Sequence, residues 1–186
     1  MYKDLVENYI PKNEQEQKDR NAMLTFIDRN NDALDRMNQL AHFTSSAFIV
    51  NAQMTKVLFA HHNIYNSWGW VGGHNDGDPD FLHVALKEAK EETGVKNVQA
   101  YSNEVIGIDN IYVSNHIKHG AYVSDHIHMN VTYLLIADEC DELTIKTDEN
   151  SGVKWFNLED ALTIIDEPRM VPVYTKFLDY IAELKK

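Results

Sequence analysis

Between positions 126 and 137 the chain alternates apolar and polar residues with a period of two. Ile127, Met129, Val131, Tyr133 and Leu135 share one face, and His126, His128, Asn130 and Thr132 share the other. That alternation predicts a strand over 126–137. Phe43–Asn51 and Thr55–His62 read as further strands, joined by a turn at 51–53. Ser67–Val71 is short and aromatic, and Gly72-Gly73 ends it as a turn before a Gly/Asp/Asn-rich loop over 74–78. Val98–Asn115 reads as strand and turn, 114–125 as a loop, and Val153–Phe156 as a strand. The stretch 138–150 reads as an acidic loop with room for a short strand at 143–146.

Helical periodicity is clearest over Pro79–Thr93. Asp78 is placed to cap that helix, Pro79 suits its first turn, and Gly94 suits its end. Asn157–Ile165 reads as a short helix capped by Asn157. Pro168–Lys186 reads as an amphipathic terminal helix with Val171, Tyr174, Phe177, Leu178, Ile181 and Leu184 on its apolar stripe. In the first forty residues, Met23, Leu24, Phe26 and Ile27 and then Leu34, Met37 and Leu40 recur at roughly helical spacing, interrupted at 30–32. The expectation is two helical pieces forming an N-terminal extension (1–40) packed on a main domain (41–186). Strands mixed with helices on one such chain predict an α/β or α+β sandwich.

Composition narrows the function classes. The 186 residues suffice for one domain with its own core. No apolar run approaches the length of a membrane span, and the polar start does not resemble a secretory signal. A single cysteine, Cys140, excludes an internal disulfide framework and a cysteine zinc cluster, so a reducing, cytoplasmic setting is expected. The net charge of −12 is the wrong sign for a nucleic-acid backbone binder, and no nucleic-acid partner is expected. The acidity is concentrated: 76–92 holds six acids against two bases, and 138–149 six against one.

The first of those segments carries the candidate chemistry. With Phe81 at zero and about 100° per residue, Leu82, Ala85, Leu86, Ala89 and Thr93 form a core arc. Glu88, Glu91 and Glu92 group beside it, while Lys87 and Lys90 fall on the remaining side. Carboxylates three and four apart on a helix repel, at a cost of a few tenths of a kcal/mol per pair. A hard cation between them turns that repulsion into binding. Taken alone, the cluster also fits a solvated acidic face.

The segment Gly73–Val95, GHNDGDPDFLHVALKEAKEETGV, resembles the Nudix box of the Nudix (MutT-like) hydrolases, G-x5-E-x7-R-E-U-x-E-E-x-G-U, with U an aliphatic residue. Gly73, Glu88, Glu91, Glu92, Gly94 and Val95 match, and the 23-residue length is kept. There are three departures. Lys87 replaces the arginine, Ala89 is a small aliphatic, and Pro79 stands at the early glutamate, with Asp78 beside it as substitute or cap.

The resemblance implies a Nudix-type α/β/α sandwich with a mixed sheet over 41–186. It also implies a Mg²⁺- or Mn²⁺-dependent pyrophosphohydrolase acting on a nucleoside diphosphate linked to another group. Carried over, the metal ligands are Glu88, Glu91, Glu92 and the Gly72 carbonyl, and the catalytic set is Glu88, Lys87, Glu91 and Glu92. The general base is Glu88, Glu149, or less readily His126 or His128. Substrate-contact candidates are Trp70, His126, His128 and Glu149. The nine histidines include the pairs His61-His62, His116 with His119, and His126 with His128. The polar face of strand 126–137 reads equally as pocket lining or as solvent-facing, and Trp68 and Trp70 read as core or as a base-stacking surface. A non-catalytic Nudix-fold nucleotide- or effector-binding protein is the alternative. An isopentenyl-diphosphate-type isomerase is disfavoured because 61–71 lacks a cysteine. The partner expected is a small nucleoside diphosphate derivative, and a homodimer is left open.

Overall fold

A computed structural model describes residues 2–118 and 120–186; His119 therefore lies outside the described residues. Two helices open the chain, α1 (Tyr2–Asn8) and α2 (Glu14–Arg29). Then come β1 (Ala41–Asn51), β2 (Lys56–His62), β3 (Ser67–Gly69), β4 (Val71–His74) and α3 (Phe81–Thr93). They are followed by β5 (Val98–Val113), β6 (His116–Lys118), β7 (Ala121–Val123), β8 (His126–Ala137) and β9 (Asn150–Asn157). Short helical turns lead through α4 (Ala161–Ile164) to α5 (Val171–Leu184).

Among the described residues seven strands join in one mixed sheet, with the path β3-β2-β1-β8-β5. β1 is central and buried along its whole length. It runs parallel to β8, pairing His42 with His128 and Thr44 with Asn130. Its other edge is divided. β4 takes Thr44–Ala47 and β2 takes Ile49 and Val50, both antiparallel. Alternation then sorts the side chains. Phe43, Ala47 and Ile49 face a core shared with α1, α2 and α3. Phe48 and Val50 face a second core closed by α4 and α5. Helices on both faces of a mixed sheet make an α/β/α sandwich, within the α/β or α+β class that the strand and helix pattern predicts and of the type that the resemblance implies.

The N-terminal helices share the first core through Val6, Tyr9 and Met23. A buried charge cluster fastens them. Lys176 Nζ of α5 lies 2.9 Å from Glu16 Oε1 of α2 and 2.6 Å from Asp109 Oδ1 of β5, and Tyr9 donates to Glu16 at 2.9 Å.

Several local expectations are corrected. Residues 34–40 are not helical. Asp35 accepts from the Met37 N–H and Asn38 from the Leu40 N–H, so short polar side chains satisfy the backbone in turns, leaving Met37 and Leu40 exposed. The helix break falls instead between α1 and α2. The cap of α3 is Asp80, which accepts from the His83 N–H at 3.0 Å; Asp78 accepts from the Asp80 N–H and pairs with His83 one step earlier. The 114–125 segment forms a β6–β7 hairpin rather than a loop, with Gly120 at φ +78° in the connection. No strand forms at 143–146, where Thr144 N–H donates to the Thr93 carbonyl behind α3. Asn157 makes no capping bond, its amide going to the Asp160 carboxylate.

Candidate active site

The glycine pair lies inside β4, paired with β1, rather than in a turn. Both glycines have negative φ, so clearance and not backbone conformation requires them. A Cβ on Gly72 would sit 2.5 Å from the Ser45 carbonyl, and one on Gly73 would sit 2.5 Å from Glu88 Cδ. The Glu88 carboxylate is thus pressed directly on the β4 backbone. Gly94 ends α3 at φ +78°, donating to the Lys90 carbonyl as a left-handed cap.

Helix α3 sits on β1 and β4 with a roll not read from its apolar residues. Phe81, Val84, Ala85, Glu88, Ala89, Glu92 and Thr93 are buried, while Leu82 and Leu86 are only half-buried. The buried arc is centred near the glutamates. Glu92, 2% exposed, accepts from the Gly72 N–H at 2.8 Å through Oε1 and from Asn150 Nδ2 at 2.8 Å through Oε2. Burial pushes its carboxyl up to about 7, while the Asn150 and Gly72 bonds pull the other way. Glu91, by contrast, is half-exposed. Lys87 does not point away: its Nζ lies 3.3 Å from Glu88 and 3.8 Å from Glu91. Lys146 approaches Glu91 at 4.0 Å and pairs with Glu149 at 2.8 Å. Burial raises the Glu149 carboxyl, but Lys146 and Lys118 outweigh it and hold it below its ordinary value.

These groups line one cavity of about 880 Å³. Gly72, Lys87, Glu88, Glu91, Glu92, Trp70, His126, His128 and Glu149 all border it. The polar face of β8 therefore lines the cavity rather than facing open solvent. Trp70 is held in place: its backbone N–H donates to the Tyr174 hydroxyl at 3.0 Å, and its ring packs on Tyr174 and Phe177. Trp68 packs edge-on against Phe156. The second acidic segment divides. Asp148 and Glu149 reach the cavity, whereas Asp141 caps the N–H groups of Lys96 and Asn97 elsewhere.

Several residues at or beside the cavity are not foreshadowed by the sequence. Asn150, 1% exposed, orients Glu92 from a strand 58 positions away. Thr44 and Ser46 donate to Asn130 Oδ1 at 2.9 and 2.8 Å. His42 and His74 stand beside His128, and burial lowers the basicity of all three, His74 to about 3. Arg36, Lys118, Lys146 and Arg169 bring positive charge to the cavity wall. The even positions of β1, in phase with those of β8, were the available signal for His42, Thr44 and Ser46; the others arrive by long-range packing alone.

The donor set is carboxylate oxygens at a strand backbone, which suits a hard divalent cation. Among the described residues no helix is long and apolar enough to cross a membrane.

Comparison with known proteins accords with this architecture. A sequence profile of the NUDIX domain matches residues 41–180. No curated protein matches the sequence significantly. Among solved structures, a Nudix-family hydrolase from Clostridium perfringens is 25% identical, with a TM-score of 0.54, covering 75% of this chain and 97% of that one. A MutT protein from Methanosarcina mazei Go1 is 17% identical, with a TM-score of 0.57 over 80% of this chain and 99% of that one. A C. elegans Ap4A hydrolase in a binary complex is 19% identical, with a TM-score of 0.54 over 76% and 98%. Nudix hydrolases generally use divalent metals, and the carboxylate set on α3 is of the kind that holds them. With the profile spanning most of its length, this chain belongs to the Nudix family of hydrolases.

Proposed function

We propose that the chain is a Mg²⁺- or Mn²⁺-dependent pyrophosphohydrolase that cleaves a nucleoside diphosphate linked to another group. The observation that carries the reading is the convergence of Glu88, Glu91 and Glu92 with Gly72 at one wall of the cavity. Glu88, Glu91, Glu92 and the Gly72 carbonyl would hold the cation. When bound, such an ion neutralises a pyrophosphate and acidifies a water that attacks phosphorus in line.

The remaining work falls to the chain's own groups. Asn150 and the Gly72 N–H fix the Glu92 carboxylate so that its position does not depend on the ligand. Lys87 balances Glu88 and Glu91 and adds positive charge at the phosphate end. Glu88 or Glu149 accepts the proton of the attacking water, with His126 and His128 as further candidates. Glu149, held ionised by Lys146 and Lys118, is in the correct state for that role at neutral pH. The reading includes a reducing, cytoplasmic setting, supported by the one free, exposed cysteine, Cys140. It also includes residues 1–40 as an extension outside the hydrolase domain proper, supported by where the profile begins.

The test is a screen of the purified protein with Mg²⁺ or Mn²⁺. The panel comprises nucleoside triphosphates, dinucleoside polyphosphates, nucleotide sugars and NAD-like compounds. Turnover of at least one class is expected, with loss in Glu91→Gln and Glu92→Gln. Nucleotide binding without turnover would favour a non-catalytic effector-binding protein instead, and full activity in those variants would remove the glutamates from the chemistry.

A further inference from the structure

We propose that His42, His74 and His128, with His126 beside them, form a second cation site that takes a transition-metal ion of the imidazole-preferring class, with Zn²⁺ as the reference ion. It is separate in donor chemistry from the glutamates and does not depend on the hydrolase reading.

The histidines come from three neighbouring strands and reach one spot. Register places His42 of β1 opposite His128 of β8, and Thr44 opposite His74 of β4, so all three rings project from the same sheet face at the same end. Each offers a ring nitrogen, and those nitrogens lie within 4.8 Å of one another. Ring centroids are 4.9 Å apart for His42 and His74, and 5.0 Å for His74 and His128. His126 Nε2 lies 3.1 Å from His128 Nε2. Two nitrogens on one tetrahedral Zn²⁺, each bonded at about 2.0–2.1 Å, stand about 3.3 Å apart.

Backbone carbonyls set the rings for this task. His42 Nδ1 lies 3.0 Å from the Asn38 carbonyl, and His126 Nδ1 lies 2.8 Å from the Ser124 carbonyl. A carbonyl can only accept, so in the neutral ring the proton sits on Nδ1 and the lone pair on Nε2 faces the cluster. A metal-bound histidine is oriented in the same manner, its far nitrogen donating to a carbonyl.

A second observation points to a ligand. His42 is 3% exposed, and its Nε2 has no hydrogen-bond partner among the described residues. A buried acceptor left without a donor is costly and uncommon. The hydroxyls along the same strand do not serve it, because Thr44 and Ser46 both donate to Asn130. A cation among the imidazoles gives that lone pair a partner. The donors also decide the metal. All-nitrogen sites suit zinc, cobalt or nickel, whereas magnesium and calcium require oxygen ligands. One cavity wall thus sorts two classes of ion by ligand type.

The experiment is a titration of the metal-stripped full-length protein with Co²⁺, in excess Mg²⁺, followed by visible absorption. Saturable binding with a ligand-field spectrum of nitrogen coordination is expected, reversed by Zn²⁺. It should persist in Glu91→Gln and Glu92→Gln and weaken at least about tenfold in His74→Ala and His128→Ala. Because a histidine variant can misfold, Zn²⁺-loaded wild-type protein is also examined by X-ray absorption at the zinc edge, where imidazole scattering is expected. Binding that is lost with the glutamates and kept without the histidines would overturn the proposal. So would an oxygen-only zinc environment, or no saturable Co²⁺ binding to the wild-type protein.

Discussion

At the scale of single residues, the cavity wall rests on approaches too close for a Cβ. Gly73 leaves room for Glu88 that any Cβ would take, so Gly73→Ala forces the carboxylate or the strand to move. Overpacking of this kind typically costs about 1–3 kcal/mol. Gly73→Ala is therefore expected to lower the urea midpoint and sharply reduce activity, whereas an unchanged midpoint with full activity would show that Glu88 is free to move aside. Asn150 donates to Glu92 Oε2 at 2.8 Å, which on the proposed function makes it a positioning residue. Asn150→Ala should raise the Mg²⁺ concentration for half-maximal activity about 10–100-fold. The readout is a Mg²⁺ titration at fixed substrate; a loss of kcat with unaltered Mg²⁺ dependence would argue against a positioning role. The glutamates were legible in the sequence because helix spacing and the Gly73–Val95 motif are local. Asn150 and His42 were not, because each reaches its place through strand pairing between distant segments.

At the scale of elements, periodicity told strands and helices apart where a face is buried, as in β8, whose predicted limits of 126 and 137 are those observed. It failed where short polar side chains take over the backbone bonds, as at Asp35 and Asn38. It also misplaced the roll of α3, because the buried Glu88 and Glu92 count as polar in any apolar-arc reading. The attachment of α2 gives a stability prediction. Removing one member of a buried ion pair typically costs about 3–5 kcal/mol, since its partners stay buried and unbalanced. Lys176→Ala leaves Glu16 and Asp109 facing each other and should destabilise the fold by about that amount in urea unfolding.

The same cluster gives a pH prediction. Burial pushes the Asp109 carboxyl up to about 6, with Lys176 pulling it down and Glu16 pushing it further up. An acid whose folded value exceeds its ordinary 3.8 holds its proton more tightly in the folded chain. Its contribution to stability is therefore lost as pH rises from 3.8 to about 6. Asp109→Asn should remove that slope. A wild-type minus variant difference in unfolding free energy that stays flat across this window would contradict it.

At the scale of the whole molecule, the net charge of −12 is a poor guide to the cavity. Arg36, Lys87, Lys118, Lys146 and Arg169 gather there, each within reach of a carboxylate. The fold thus gathers at one cavity bases that lie far apart along the chain. On the proposed function, α3 holds a divalent cation for attack of water on phosphorus. The direct measurement is hydrolysis of the preferred substrate in ¹⁸O-labelled water, with Mg²⁺ or with EDTA, for wild type and Glu92→Gln. The account predicts Mg²⁺-dependent turnover that places labelled oxygen on a phosphate group of one product, with none in EDTA or in the variant. Equal turnover in EDTA, undiminished activity of Glu92→Gln, or products without label on phosphorus would contradict it.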